Sequence, residues 1–221
     1  AGITHDLPLV LGVEAAGVVA EAPTGSGLQV GQKAILYSNA FCGHCRYCLA
    51  GDQPLCVRTK IMGEHRDGTF AEYIAMPAAC FFPLPDDADL VAAGALMVGH
   101  LTAWRMLFGK RALRPGETVL IVGIGGGVAV AALQLALRAG ARVLVTSSSD
   151  EKIARALALG ASAGVNYRSE KVAQRVLALT GGEGVDMVID SVGQASWADS
   201  LRSLRRGGRL TWHAGSWNQQ S

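Results

Sequence analysis

Four of the five cysteines in this 221-residue chain lie close together, at Cys42, Cys45, Cys48 and Cys56. Three thiols in the run Cys42-Gly-His-Cys45-Arg-Tyr-Cys48, with a fourth nearby, can wrap one tetrahedral ion. Four thiolates close the shell against water or substrate, so the chemistry is structural. His44 lies between ligands, where a fifth donor has no place. The first three spacings also suit an iron–sulfur cluster. The bacterial cluster run, however, brings its fourth cysteine sooner and follows it with proline, and here Cys56 precedes Val57. Gly43, Arg46 and Gly51 mark a surface loop, which speaks against four buried free thiols. One structural zinc is the expected occupant. Cys80, in Ala-Ala-Cys-Phe-Phe, is expected to be a small core residue.

A second chemical signal is Thr118-Val-Leu-Ile-Val-Gly-Ile-Gly-Gly-Gly-Val-Ala129, a β-branched run that passes through glycines into an Ala/Leu-rich helical pattern. Gly123 and Gly125 permit a tight turn, Gly126 lets backbone approach a pyrophosphate, and Ala129 lets helix and strand pack closely. Gly127 and Val128 then open a helix whose free N–H groups and dipole face an anion. The plain alternative is a buried strand–helix corner. Three consecutive glycines cost backbone entropy, so a corner without a ligand has no need of them. The expected ligand is a dinucleotide. About twenty residues past the glycines, an NAD site carries Asp or Glu to hold the ribose hydroxyls. Here Ser147 stands in Val145-Thr-Ser-Ser-Ser-Asp150, and Lys152 follows. A neutral hydroxyl beside a cation tolerates a 2′-phosphate that a carboxylate would repel. Asp150 is assigned a capping role at the helix start. NADP(H) is therefore favoured over NAD(H).

The elements that must position these groups follow from pattern. Residues 7–22 read as strand, glycine turn, strand, and Lys33 to Tyr37 as a further strand. A strand alternating from Phe70 follows the polar turn at 63–68, where His65 is a weaker functional candidate. From Leu90 to Phe108 the chain is helical, capped by Asp86, Asp87 or Asp89 and broken or kinked at Gly99, with His100 read as a hydrogen-bonded core residue. Beyond Glu117, strands at 118–123, 142–146, 163–166, 185–191 and 208–213 alternate with helices at 127–139, 150–159, 169–179 and 196–205. Ser148-x-x-Glu151 reads as a capping box. The fold class is α/β: a partial β-barrel domain over 1–89 with the cysteine lobe at 42–56, then a doubly wound parallel sheet over 90–221 lacking its last strand. Trp212 and Trp217 lie close to the edge that strand would cover.

Half of the residues are hydrophobic and 17% charged, ample for a core. A net charge of +2 without a basic run gives no footprint for nucleic acid. No uninterrupted apolar stretch reaches membrane-span length. Clustered thiols suit a reducing compartment, so the expectation is a soluble cytoplasmic protein acting on a small molecule.

Taken together, these motifs resemble the medium-chain dehydrogenase/reductase superfamily, and within it the quinone-reductase-like branch. The resemblance rests on Gly12-Val-Glu-Ala-Ala-Gly17, the four-cysteine lobe, Gly63-Glu-His-Arg-Asp-Gly68, Leu101-Thr-Ala-Trp104, Gly123-Ile-Gly-Gly-Gly127, Asn166-Tyr167, Asp190-Ser-Val-Gly193 and Gly207-Gly-Arg-Leu210. It implies a GroES-like catalytic domain followed by a Rossmann domain, and NAD(P)-dependent hydride transfer between them. It supports Lys152 and Tyr167 at the adenosine ribose and brings Thr102 and the loop after Asp190 into the nucleotide site. It also implies a homo-oligomer when the chain is full length. The family's alcohol dehydrogenases carry Gly-His-Glu where this chain reads Gly12-Val13-Glu14, and a cysteine ligand where it has Val98. Valine coordinates no metal. The expected activity is thus reduction of a quinone or an α,β-unsaturated carbonyl without a catalytic zinc. The alternatives are an alcohol dehydrogenase with a metal site rebuilt from Glu14 or His100, and a truncated, non-catalytic nucleotide-binding fragment. Because the family's chains extend further at both ends, this chain is expected to bind NADPH weakly and to turn over slowly or not at all.

Overall fold

The closely spaced apolar runs of the first half form two small sheets. A computed structural model of the protein describes residues 7–213. In chain order these residues give β1 (Ala16–Val18), β2 (Lys33–Leu36), β3 (Asn39–Ala40), α1 (Arg46–Leu49), β4 (Lys60–Ile61), β5 (Phe81–Pro83) and α2 (Leu90–Gly94). β1, β2 and β5 make an antiparallel sheet in that order, and β3 pairs with β4. The expected strand pair over 7–22 shrinks to β1, because Gly12 turns at a φ of +105° and residues 10–12 instead bond to the backbone of 68–70. The strand expected from Phe70 does not form either. Its alternation survives as packing, with Ile74 and Met76 against Leu36, Met62 and Cys80 while Phe70 and Tyr73 stay exposed. Cys80 is buried there as expected.

The helical stretch 90–108 divides into α2 and α3 (Met97–Phe108). Asp89 caps α2, accepting from the N–H groups of Val91 and Ala92. The break falls at Ala95 and Leu96 rather than at Gly99, which α3 accommodates. The chain separates into two compact units, Ala1–Val98 and Gly99–Ser221, so the division falls later than the expected boundary at 89/90. Gly94 explains the shift: a Cβ there would lie 3.5 Å from the backbone N of Ala16, so α2 packs on β1.

The second unit continues through β6 (Thr118–Val122), α4 (Gly127–Arg138), β7 (Arg142–Ser147), α5 (Asp150–Ala158), β8 (Ala163–Asn166), α6 (Val172–Leu179), β9 (Val185–Asp190), α7 (Trp197–Arg202) and β10 (Leu204–Trp212). Its five described strands are all parallel in the order β10-β9-β6-β7-β8, the doubly wound arrangement. Alternate residues of the central strands enter two cores. Val119, Ile121, Val143, Val145, Met187 and Ile189 pack with α3 and α4, while Leu120, Leu144 and Val188 pack with α6. α5 starts at Asp150 as expected, but Ser149 rather than Ser148 is its cap and accepts from the N–H of Lys152. α7 ends at Arg202 and β10 begins at Leu204, its register shifting before Arg209 where Gly207 takes a φ of +71°. Ala1 and Trp217 lie outside the described residues. Among the described residues, no helix is long and apolar enough to cross a membrane.

Candidate functional site

The four cysteine sulfurs converge although two small sheets and one turn of helix are all that support them. Cys45 is the N-cap of α1, Cys48 lies within it, and a 3-10 turn at Gln53–Leu55 returns the chain at Cys56. All four Sγ atoms lie within 4.8 Å of one another. Cys45 and Cys48 sulfurs are 3.5 Å apart, and those of Cys42 and Cys48 3.9 Å. Tetrahedral zinc with thiolates at about 2.3 Å sets its ligands roughly 3.8 Å apart, so the cluster fits that ion. Backbone N–H groups aim at the sulfurs, from Cys42 and Arg58 to Cys56 and from Cys45 to Cys42. The N–H of Cys48 draws Cys45 down to about 6, and that of Cys42 lowers Cys56, whereas burial pushes Cys48 up to about 12. A divalent cation would bring all four into the thiolate form. His44 is no ligand: Nδ1 meets the Cys42 carbonyl oxygen at 2.7 Å and Nε2 meets Arg58 at 2.9 Å. His65 also serves locally, its Nδ1 accepting from the N–H of Ile61.

The second site is made mostly of backbone. β6 ends at Val122, Gly123 and Gly125 take φ values of +75° and +118°, and α4 starts with Gly126 as a cap that has no side-chain hydrogen bond. A Cβ on Gly126 or Gly127 would meet nothing within 4 Å. Sterically, the protein itself does not require glycine at either position, whereas a group lying on the turn would. Unpaired N–H groups and the helix dipole at this end favour a phosphate, so the turn fits a diphosphate. Thr146 fastens it to β7, its hydroxyl and carbonyl oxygens accepting from the N–H groups of Gly123 and Ile124. A Cβ on Gly99 would sit 3.7 Å from the Gly127 carbonyl carbon, which brings the first turn of α3 beside the start of α4. Thr102 lies three residues further along α3, one helical turn from Gly99.

The ribose-side residues are gathered less completely. Ser147 is buried at the end of β7, and its hydroxyl accepts from the N–H of Ser149. Tyr167 is half-exposed beside it and donates its N–H to the Ser147 carbonyl. Lys152 lies over the glycine turn, its Cδ and Nζ 2.8 and 3.4 Å from where a Cβ on Gly125 would be. Asp150 is not the cap expected of it. Its carboxylate accepts from the Asn166 amide at 2.8 Å.

Sequence reasoning placed the loop after Asp190 at the nucleotide but missed how it is built. Asp190 is fully buried, and its carboxylate accepts from the N–H groups of Val192 and Gly193 and the hydroxyls of Ser196 and Ser200. A lone acid ending the apolar run Val185-Asp-Met-Val-Ile-Asp190 was the available signal.

Residues 2–86 match the alcohol dehydrogenase GroES-like domain, and residues 127–220 match the zinc-binding dehydrogenase domain. The chain is 35% identical over 204 residues to an alcohol dehydrogenase of Geobacillus stearothermophilus, covering 91% of this chain and 60% of that one. It is 34% identical over 205 residues to an acryloyl-coenzyme A reductase of Metallosphaera sedula, covering 92% and 60%. The crystal structure of an NAD-dependent alcohol dehydrogenase superposes with a TM-score of 0.90 at 39% identity, covering 97% of this chain and 64% of the other. The chain belongs to the medium-chain dehydrogenase/reductase superfamily, in its zinc-containing alcohol dehydrogenase-like group. It spans about 60% of the length of the curated relatives it matches.

Within this superfamily the positions that matter next are Val13, Glu14 and Val98. Glu14 Oε1 accepts from the backbone N–H of Val98 at 2.8 Å, closing the first turn of α3. The rebuilt metal site would have used that carboxylate. Among the described residues, the four cysteines are the one group of three or more potential ligands that converges. His100 departs from expectation in another way, since its Nδ1 is buried without a hydrogen-bond partner.

Proposed function

We propose that the protein is an NAD(P)(H)-dependent oxidoreductase that passes hydride to a quinone or an α,β-unsaturated carbonyl without a catalytic zinc. The observation that carries this reading is the donor set. Val13 and Val98 stand where the superfamily's alcohol dehydrogenases place metal ligands, and the Glu14 carboxylate is committed to the start of α3. Oxidising an alcohol calls for a Lewis acid to hold the alkoxide. A conjugated acceptor spreads its charge onto an oxygen that hydrogen bonds can hold, so it needs less. The similarity to an acryloyl-coenzyme A reductase supports an acceptor of this kind.

The reduced nicotinamide supplies the hydride when bound. The glycine turn and the first N–H groups of α4 hold the diphosphate, with Lys152 above the turn as a counter-charge. NADP(H) is the preferred nucleotide: Ser147 brings no carboxylate to the ribose, and the Asn166 amide engages that of Asp150. A charge-assisted contact to the 2′-phosphate contributes about 1.5–3 kcal/mol, which corresponds to roughly tenfold or more in affinity.

The second reading is an alcohol dehydrogenase with its metal held elsewhere, favoured by the Geobacillus relative and the NAD-dependent neighbour. Paired assays decide between them: oxidation of NADPH by a quinone or enone, and reduction of NADP+ by primary and secondary alcohols. The proposal expects turnover only in the first. Alcohol-dependent reduction that exceeds it would establish the second.

A further inference from the structure

We propose that His44 and Arg58 are positioning residues: their side chains form a strap that holds Cys56, the one ligand on the far arm of the cysteine lobe, against the arm that carries the other three. The inference rests on the reading of the lobe as a zinc site and goes beyond it, since neither residue is a ligand.

The sulfurs are shared unequally between two arms. Cys42, Cys45 and Cys48 come from one short run that ends in α1, whereas Cys56 arrives alone after the 3-10 turn at Gln53–Leu55. An ion held this way has a weak point. Three sulfurs on one run move together, so the shell opens most readily by departure of Cys56 with its arm. Whatever joins the arms therefore retains the ion. At the base of the lobe, Ala40 of β3 pairs with Lys60 of β4. At the cluster, the N–H of Cys42 donates to Cys56 Sγ at 3.3 Å. Arg58 and His44 add a third link, side chain to side chain at 2.9 Å.

The pair is complementary at each atom. Gly43 takes a φ of +77°, and His44 turns back so that Nδ1 lies 2.7 Å from the Cys42 carbonyl oxygen. A carbonyl only accepts, so Nδ1 carries the proton. A guanidinium only donates, so Nε2 offers its lone pair to Arg58. One neutral tautomer satisfies both demands. On the other arm the N–H of Arg58 donates to Cys56 Sγ at 3.4 Å. The residue that grips His44 with its side chain thus steadies the fourth ligand with its backbone. Charge favours the arrangement as well. Four thiolates around a divalent ion leave a net negative charge, which a guanidinium held between the two arms offsets. Arg46 is turned instead onto the ring and hydroxyl of Tyr47, so Arg58 is the arginine that bridges the arms. Both His44 and Arg58 are exposed, so removing either leaves the lobe's packing in place.

The rate at which zinc passes from the protein to an excess of a chromophoric chelator reads the strap directly. His44→Ala and Arg58→Ala should each speed that transfer by about fivefold, the scale of one lost hydrogen bond. The double variant should release zinc no faster than the faster single one, because both substitutions remove the same contact. Arg58→Lys, which keeps a charged donor, should restore most of the retention. The ring nitrogen chemical shifts of His44 give a second readout. The unmodified protein should show the Nδ1–H tautomer, and the Nε2 resonance should move in Arg58→Ala. Cobalt in place of zinc should give the same tetrahedral thiolate spectrum in every variant, which separates a loosened arm from a lost ligand. Unchanged release in either single variant, additive effects in the double one, an altered cobalt spectrum, or an Nε2–H tautomer overturns the inference. An unmodified protein that takes up neither zinc nor cobalt overturns the zinc reading, and the strap falls with it.

Discussion

In the N-terminal unit Leu36, Met62 and Cys80 form the one buried apolar cluster among the described residues, and none of the four clustered cysteines belongs to it. In the C-terminal unit two continuous cores sandwich a five-stranded sheet, and the glycine turn sits at its rim. In the first region four sulfurs converge on the place of one ion, so there removing a bound ion would undo site and fold together. The second has a fold that stands without a ligand, and its site is a set of backbone groups exposed where β6 ends. The comparison teaches where damage should spread: through the lobe in one case, and no further than the ligand in the other.

Removing the metal should give the largest effect. Structural zinc sites of this type bind with about 10–16 kcal/mol, far more than the lobe's small apolar cluster can replace. Strong chelation, or Cys45→Ser, should expose residues 42–58 to proteolysis while the C-terminal sheet remains protected and still binds nucleotide. Loss of nucleotide binding on chelation would break the comparison.

Two glycines sharpen it next. Gly123→Ala demands a positive φ and drives a Cβ into Val192, so it should lower stability by about 1–3 kcal/mol and abolish most nucleotide binding. Gly126→Ala enters open space at an ordinary φ of −83°, so thermal unfolding should stay put or rise slightly. NADPH affinity should nevertheless fall, by about tenfold or more, since the methyl group takes room the diphosphate needs. A Gly126→Ala protein that binds as tightly as the original would remove the ligand from the explanation of this turn.

Much of this was legible beforehand, and the failures have physical causes. The parallel sheet follows from strands and helices that alternate cleanly in 118–212, because each buries a face that its period reveals. The cysteine cluster was legible because metal geometry constrains spacing more tightly than packing does. Strand ladders in 7–22 and after Phe70 failed because the close approach of Gly12 to Gly63 and Gly68, where a Cβ would come within 2.6 Å of the Gly12 carbonyl oxygen, is a tertiary fact with no local period. The capping residue moved from Ser148 to Ser149 because neighbouring serines are equivalent on paper and only strand length selects one. Asp190 and its serines are separated by six and ten residues, a network that pattern alone does not connect.

A smaller effect concerns nucleotide choice. Ser147→Asp keeps an acceptor for the N–H of Ser149 and adds a carboxylate oxygen for the ribose hydroxyls, so the preference should turn from NADPH toward NADH, by about 1.5–3 kcal/mol. Fluorescence titration with both nucleotides measures it. Equal affinities for the two nucleotides in the unmodified protein would contradict the assignment.

The smallest effect lies at the start of β6, the end opposite the glycine turn. The Arg209 guanidinium hydrogen-bonded to Glu117 holds that carboxyl below the usual glutamate range, and Arg114 and Arg111 add to it. A depressed folded-state value means stability present above the ordinary glutamate pKa and lost as pH falls through the depressed one. Glu117→Gln should therefore flatten the acid limb of unfolding and leave NADPH binding at neutral pH unchanged. An unaltered acid limb would show that this pair contributes nothing measurable.

The central claim is that the chain holds one structural zinc at its cysteines and builds no second metal site from Glu14 or His100. Metal content by mass spectrometry, in the unmodified protein and in Cys45→Ser, tests it most directly. The account predicts close to one equivalent of zinc per chain, falling toward zero in the variant. Two equivalents, or one equivalent that survives Cys45→Ser, would contradict it.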